Sequence, residues 1–475
     1  MTCGTSLQRD FPLQTAPDNS IATRAWVQSL RASARAQSSL RNALYGAAEY
    51  IAMPATMLLA TPFLLHRLGA AQYGLWMAAT AAITSSSYIS TGFGDAALKY
   101  AAAYRGAEQR EKVEATLHVN LVINLALGIV VAIMIWYGAP LLVRRLFPAV
   151  ALLQRTAVGV FRIASAILVV RSVESVFVAA LRAYERYGPA VQINVLSRVA
   201  TIVWACVLVA RGRGVLAIMA ATLTLAVVSA AMQMWAAHRI TGSIARYSRI
   251  TGHAFAEVFR FGCFSWMQTF AGCIFSYADR LVVGVLLGAS SVAYYTVCVQ
   301  AAQPIHGLIA AALHFTFPHL SARMTAAPGS ETRPIVGMVL ALNIALAILL
   351  CVPMVLGSKL ILKLWMGAAF AQQTWMVLSI VAAGFGLLAL NITGHYALLA
   401  LEQVKLVAIV NILGSAAMLA GVVCLAPRYG LVGAAIGRLF YGPITLLMYF
   451  RLHSMLVPKR TSQAGLRRVV AIEEG

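Results

Sequence analysis

Twelve stretches of about 20 apolar residues follow one another through this chain. That is the length an α-helix needs to cross the roughly 30 Å hydrocarbon core of a bilayer. Lipid offers the backbone no hydrogen-bond partners, so such stretches are confined to helices or closed barrels. They fall near residues 43–65, 73–93, 117–138, 157–181, 190–210, 215–237, 259–279, 292–317, 334–357, 374–396, 404–426 and 431–452. Composition agrees: 60% of residues are hydrophobic and only 11% charged, against about 25% charged in an ordinary soluble domain. The expected fold class is an all-α polytopic membrane protein with about 12 transmembrane helices.

An even number of spans puts both termini on one side, and the loop cations say which. Of the 37 Lys and Arg residues, 23 fall on the side of the termini, counting those at span edges, and 10 on the other. The remaining four, Arg162, Arg171, Arg198 and Arg438, lie inside spans. Both termini are therefore expected in the cytoplasm. The net charge of +22 reads as a topology signal and an attraction to anionic headgroups of the lipid bilayer. No basic stripe interleaved with aromatics calls for a nucleic acid.

Residues 1–42 are rich in Arg and Ser and poor in acids, and lack the apolar core of a signal peptide. They share features with a mitochondrial transit sequence, but read better as a basic cytoplasmic tail. The seven cysteines are scattered and form neither a disulfide framework nor a metal-ligand spacing. No Ser/His/Asp set or nucleotide loop is present, so an enzyme is not expected, nor any cofactor beyond a coupling H+ or Na+. His66, His118, His306 and His314 read as packing or interfacial residues.

The chain repeats itself weakly at a nearly constant offset. "LLHRLGAAQYGLW" (64–76) echoes "VVGVLLGASSVAYY" (282–295), with Gly69 and Gly288 219 apart, and "RRLFPAVALLQRT" (144–156) echoes "LKLWMGAAFAQQT" (362–374). Glu185, Asn194 and Arg211 align with Glu402, Asn411 and Arg428, and Asn124 with Asn343. The offset equals six spans, so the halves cross the membrane in the same orientation, an arrangement that transporters use with a site between the halves. The expected organisation is a tail (1–42), a six-helix bundle (43–237), a basic cytoplasmic linker (238–258), a second six-helix bundle (259–452) and a cytoplasmic C-terminal tail (453–475).

The patterns "LGAAQYGLW", "YADRLVVGVLLGASSVAYY", "LWMGAAF" and "APRYGLVGAAIGRL", in this order, resemble the polysaccharide biosynthesis proteins. These form the oligosaccharide flippase branch of the multidrug/oligosaccharidyl-lipid/polysaccharide exporter superfamily, and the resemblance spans residues 43–452. It implies two six-helix bundles around a central cavity, often cationic. It further implies transfer of a lipid-linked oligosaccharide on an undecaprenyl pyrophosphate carrier to the periplasmic leaflet, for surface polysaccharide biosynthesis, by alternating access and in many members as an antiporter. A polysaccharide polymerase and other assembly proteins are the implied partners. The chain departs from the family's Asp-Leu-Gly-Leu at the end of span two, where it has Thr91-Gly92-Phe93-Gly94 followed by Asp95.

Charges inside spans carry the site expectations, because each is costly in hydrocarbon. At about 100° per residue, Arg171, Glu174, Ser175, Arg182 and Glu185 share one helix stripe, with Arg162 opposite. Arg171 lies roughly 21 Å below the outer end of its span, too deep to snorkel. It either pairs with Glu174 at a helix interface or faces a central cavity and meets an anionic substrate. Arg162, nearer the outer end, either snorkels or joins the cavity. With Arg198 and Arg438 these form the candidate substrate-binding cations, since a guanidinium fork suits pyrophosphate. Glu174, Glu49 and Asp95 are candidate ion-coupling acids, and Asp279 reads as a local structural partner of Arg280. The run "TSSSYIST" (84–91) serves either helix packing or sugar contact through Ser86 and Tyr88. Two other functions compete with flipping: a cation-coupled multidrug exporter of the same superfamily, and a non-transporting scaffold for glycan assembly.

Overall fold

The structure, a computed structural model, describes residues 19–146, 151–241, 272–314, 333–401 and 403–456, with single residues between 252 and 263. The side chains of residues 19–51, 53 and 86–91, and of a few residues at helix ends, lie outside that description. The described residues are helical almost throughout.

Five helices form the first half: α1 (Asn19–Gly106), α2 (Arg110–Leu146), α3 (Ala151–Ala183), α4 (Tyr187–Ala210) and α5 (Val215–Thr241). Among the elements described with printed bounds, the second half opens with a π-helical turn (Ile274–Ala278) that leads into α6 (Asp279–Leu287) and α7 (Ala289–His314). It continues with α8 (Arg333–Leu356), α9 (Ser358–Met366) and α10 (Ala368–Ala400). It ends with α11 (Val404–Leu439), α12 (Tyr441–Leu446) and α13 (Met448–Leu456).

Eight described stretches are long and apolar enough to cross a membrane, and they cover the expected spans three to six and eight to twelve. Spans one and two are the two arms of α1, divided at Gly69. Spans eleven and twelve lie together in Val404–Met455. The chain is an all-α polytopic membrane protein. Large apolar side chains such as Leu59, Met134, Leu364 and Phe450 stand exposed on its surface, as lipid requires.

The repeat has a backbone counterpart. Gly69 (φ 75°, ψ 160°) and Gly288 (φ 86°, ψ 170°) break the chain at matching points, between spans one and two and between seven and eight. Gly212 (φ 73°) and Gly430 (φ 60°) do the same between spans five and six and between eleven and twelve. A positive φ disfavours any side chain, which is why glycine stands at each of these turns.

Helices α2–α5 pack on α1 and on one another, α8–α13 gather around α7 and α10, and the two sets meet mainly along α1 against α7. At that seam a Cβ on Gly74 would lie 1.7 Å from the Ala289 carbonyl oxygen, so the two backbones touch. Tyr73 and Tyr295 are fully buried in the same core. The Thr61 hydroxyl lies 3.2 Å from the Tyr73 hydroxyl and 3.3 Å from Gln300 Oε1, which joins α1 to α7 through buried polar groups. The indole N–H of Trp365 adds a bond to the Leu58 carbonyl at 3.0 Å. Small residues let membrane helices approach in this way, and dispersion then holds them.

Candidate functional site

A cavity of about 370 Å³ opens in the second half, between the π-helical turn, α6, α7, α10, α11 and α12. Its size is at the lower end of ordinary ligand sites. Arg280 lies eight residues before Gly288, and Arg438 eight residues after Gly430. Both turns follow odd-numbered spans, so the two guanidinium groups enter at one depth, roughly 12 Å from the turns at 1.5 Å per residue. From there the cavity runs toward the C-terminal end of α10, where it meets Asn391, His395 and Tyr396.

The two arginines differ in what they face. Asp279, fully buried, forms an ion pair with Arg438 and accepts the Tyr295 hydroxyl at 2.8 Å. Its other oxygen accepts the Arg280 backbone N–H at 2.8 Å. Arg438 also donates to the Phe275 carbonyl at 3.1 Å and lies against the rings of Phe275 and Phe385, at 4.3 and 4.9 Å. Phe275 belongs to the π-helical turn, where widening of the hydrogen-bond ladder frees a carbonyl for this contact. The charge of Arg438 is thus compensated on the spot.

Arg280 has no such acid. It is 8% exposed, its guanidinium lies 5.3 Å from the Tyr277 ring centre, and its Nε has no hydrogen-bond partner among the described residues. The described ion pairs do not include it. An unpaired buried cation is expensive, so it marks where negative charge is missing. Asn391 Oδ1 is likewise buried without a partner. Amides of Gln303 and Asn411 and the ring of Tyr441 complete a wall that combines hydrogen-bonding groups with aromatic faces. Such a site suits an anion bearing hydroxyl and amide groups.

The structure separates the arginines expected to converge, and Arg438 alone among them lines this cavity. Arg171 pairs with Glu174 at 2.6 Å, and Glu174, 3% exposed, also accepts the Ser229 hydroxyl of α5. The pair is thus anchored between α3 and α5. Arg162 is exposed, with its guanidinium 5.0 Å from the Trp136 ring centre, and Arg198 is exposed on α4. In this cavity Arg438, compensated by Asp279, stands beside Arg280, which the described ion pairs do not include. Asp279 is corrected as well: its side-chain partner is Arg438, 159 residues away, rather than its neighbour. Asp95 is exposed. The side chains of Glu49, Ser86 and Tyr88 lie outside the described residues. Sequence reasoning missed Arg280, His306, His395 and Asn391 as cavity groups, although the last three were visible as polar residues within apolar spans and Arg280 stood at the end of one.

The fold and this cavity define a polytopic helical membrane protein with a polar cavity among its helices. The chain belongs to the polysaccharide biosynthesis protein family, whose model matches residues 68–327. A candidate O-antigen transporter of Shigella flexneri is 28% identical over 187 residues, which is 38% of this chain and 43% of that protein. The match therefore spans less than half of that relative's length. Among solved structures, an inward-facing multidrug resistance transporter of the MATE family superposes with a TM-score of 0.69 at 16% identity, covering 86% of this chain and 98% of that one. The lipid II flippase MurJ in an inward closed conformation gives 0.67 at 17% identity, covering 86% and 87%. The fold is shared with both.

Proposed function

We propose that this protein flips a lipid-linked oligosaccharide, of the undecaprenyl-pyrophosphate type, from the cytoplasmic to the periplasmic leaflet of a bacterial inner membrane. The observation that carries this reading is Arg280, outside the described ion pairs and with its Nε unbonded, in a cavity walled by amides and aromatic rings. The pyrophosphate would supply the missing charge through a planar donor fork, and the sugar would lie against the amide and ring wall, while the lipid tail stays in the bilayer. Alternating access between the two repeat-related halves would carry the head group across, with both termini in the cytoplasm and residues 238–258 linking the halves. A polysaccharide polymerase is the partner that would receive the product, and the protein itself would perform no covalent chemistry.

A cationic drug would meet like charge at Arg280, which weighs against multidrug export. Reconstitution into proteoliposomes tests the choice: a fluorescent lipid-linked sugar should move between leaflets, and ethidium should not be exported. Ethidium transport without movement of the lipid-linked sugar would overturn the proposal.

A further inference from the structure

We propose that His306 and His395 form a proton-binding pair that takes up protons when an anionic head group occupies the cavity; this rests on the head-group reading above. His306 comes from α7 and His395 from α10, and both line the cavity that holds Arg280. Both are half-buried. No described hydrogen bond or ion pair engages either imidazole, and the ring of His395 meets that of Tyr396 edge-on at 5.8 Å. Imidazole is the side chain whose charge changes near neutral pH without special tuning, so two free imidazoles in one polar cavity need an account.

The surrounding groups fix the sign. The π-helical turn and α6 bring Tyr277, Arg280 and Asp279, and Asp279 is already committed to Arg438 and Tyr295. Helices α11 and α12 bring Asn411, Arg438 and Tyr441, while α7 and α10 add Gln303, Asn391 and Tyr396. From α8 the packed polar group is Asn343, which donates to backbone and Thr393 on α10, and from α1 it is Tyr73, held by Thr61 and Gln300. Helix α13, packed on α10, brings Tyr449, which donates to the Leu390 carbonyl at 2.6 Å, and the exposed Arg451 and His453. Among the described residues, then, no uncommitted carboxylate faces the imidazoles, and the cation that shares their cavity outside the described ion pairs is Arg280.

In the empty cavity no uncommitted anion among the described residues faces the imidazoles. A pyrophosphate beside Arg280 reverses the sign of the local field and favours imidazolium. Because linkage is reciprocal, the head group binds more tightly as pH falls, by up to about tenfold per pH unit for each proton taken up. Release of the head group returns the protons, so a pH difference across the membrane would bias binding toward one face.

The test uses the full chain in lipid nanodiscs and farnesyl-pyrophosphoryl-N-acetylglucosamine, whose doubly esterified pyrophosphate keeps its charge between about pH 6 and pH 8. Calorimetry in two buffers of different ionisation heat counts the protons exchanged. The wild-type protein should take up one to two protons near pH 7 and bind at least about tenfold more tightly at pH 6 than at pH 8. The variant H306Q/H395Q should lose the uptake and the pH dependence together, and each single variant about half. Binding without proton uptake in the wild type overturns the histidine proposal alone, as does uptake that persists in the double variant. Absence of binding at every pH overturns the head-group reading with it. The wild-type measurement decides even if the double variant fails to fold.

Discussion

Replacing Asp279 with alanine should unsettle this fold more than almost any other single change. The residue is fully buried, and one carboxylate neutralises Arg438, holds the Tyr295 hydroxyl at 2.8 Å and accepts the Arg280 N–H at 2.8 Å. Without it Arg438, 3% exposed, keeps the Phe275 carbonyl and two aromatic faces but no anion. Breaking one side of a buried pair costs about 3–5 kcal/mol, mostly because a charge is left uncompensated. Removing both partners is milder: D279A/R438L should lie within about 1–2 kcal/mol of the wild type, since a well-packed apolar replacement of a buried pair is often close to neutral. Thermal unfolding of the four proteins in one detergent forms a double-mutant cycle. The expected outcome is a large drop for D279A and substantial recovery in the double variant. Additive costs, with the double variant the least stable of the four, would show that Asp279 and Arg438 do not compensate each other.

Other outcomes follow from the same geometry. Glu174→Ala should destabilise the first half by about 3–5 kcal/mol, because it orphans Arg171 and the Ser229 hydroxyl; Glu174→Gln should cost less, and unfolding midpoints report both. Gly437→Ala should cost about 1–3 kcal/mol, since a Cβ there would lie 2.3 Å from the Val422 backbone nitrogen of the facing arm of α11. Gly74→Ala should disrupt the α1–α7 seam in the same way, and a cysteine crosslink between Leu58 and Trp365 positions should then form more slowly than in a protein with Gly74 intact.

The parts legible in the sequence were those set by spacing along one helix or by the bilayer. Apolar length marked the spans, the echo of Gly69 in Gly288 marked matching turns, and the i,i+3 spacing of Arg171 and Glu174 marked a pair that the structure contains. Adjacency misled at Asp279 and Arg280: successive helical residues point about 100° apart, so side chains at i and i+1 do not face each other. The true partner, Arg438, is a tertiary contact that no local period encodes. Which of Arg162, Arg171 and Arg198 would face a cavity was illegible for the same reason, because which face of α3 or α4 meets protein is decided by neighbouring helices. The π-helical turn at Ile274–Ala278, which offers its carbonyl to Arg438, has no sequence signature in an apolar segment. Arg280 was passed over because it was assigned a partner that the fold gives to another residue.

Arg280 is therefore where the account is most exposed. Translocation of a fluorescent undecaprenyl-pyrophosphoryl oligosaccharide should be measured in proteoliposomes holding equal amounts of folded wild-type, R280K and R280A protein. R280A should lose at least about tenfold in rate, as expected when a charged hydrogen-bond donor worth about 1.5–3 kcal/mol is removed, and R280K, which keeps the charge without the fork, should be intermediate. A wild-type rate in R280A would contradict it.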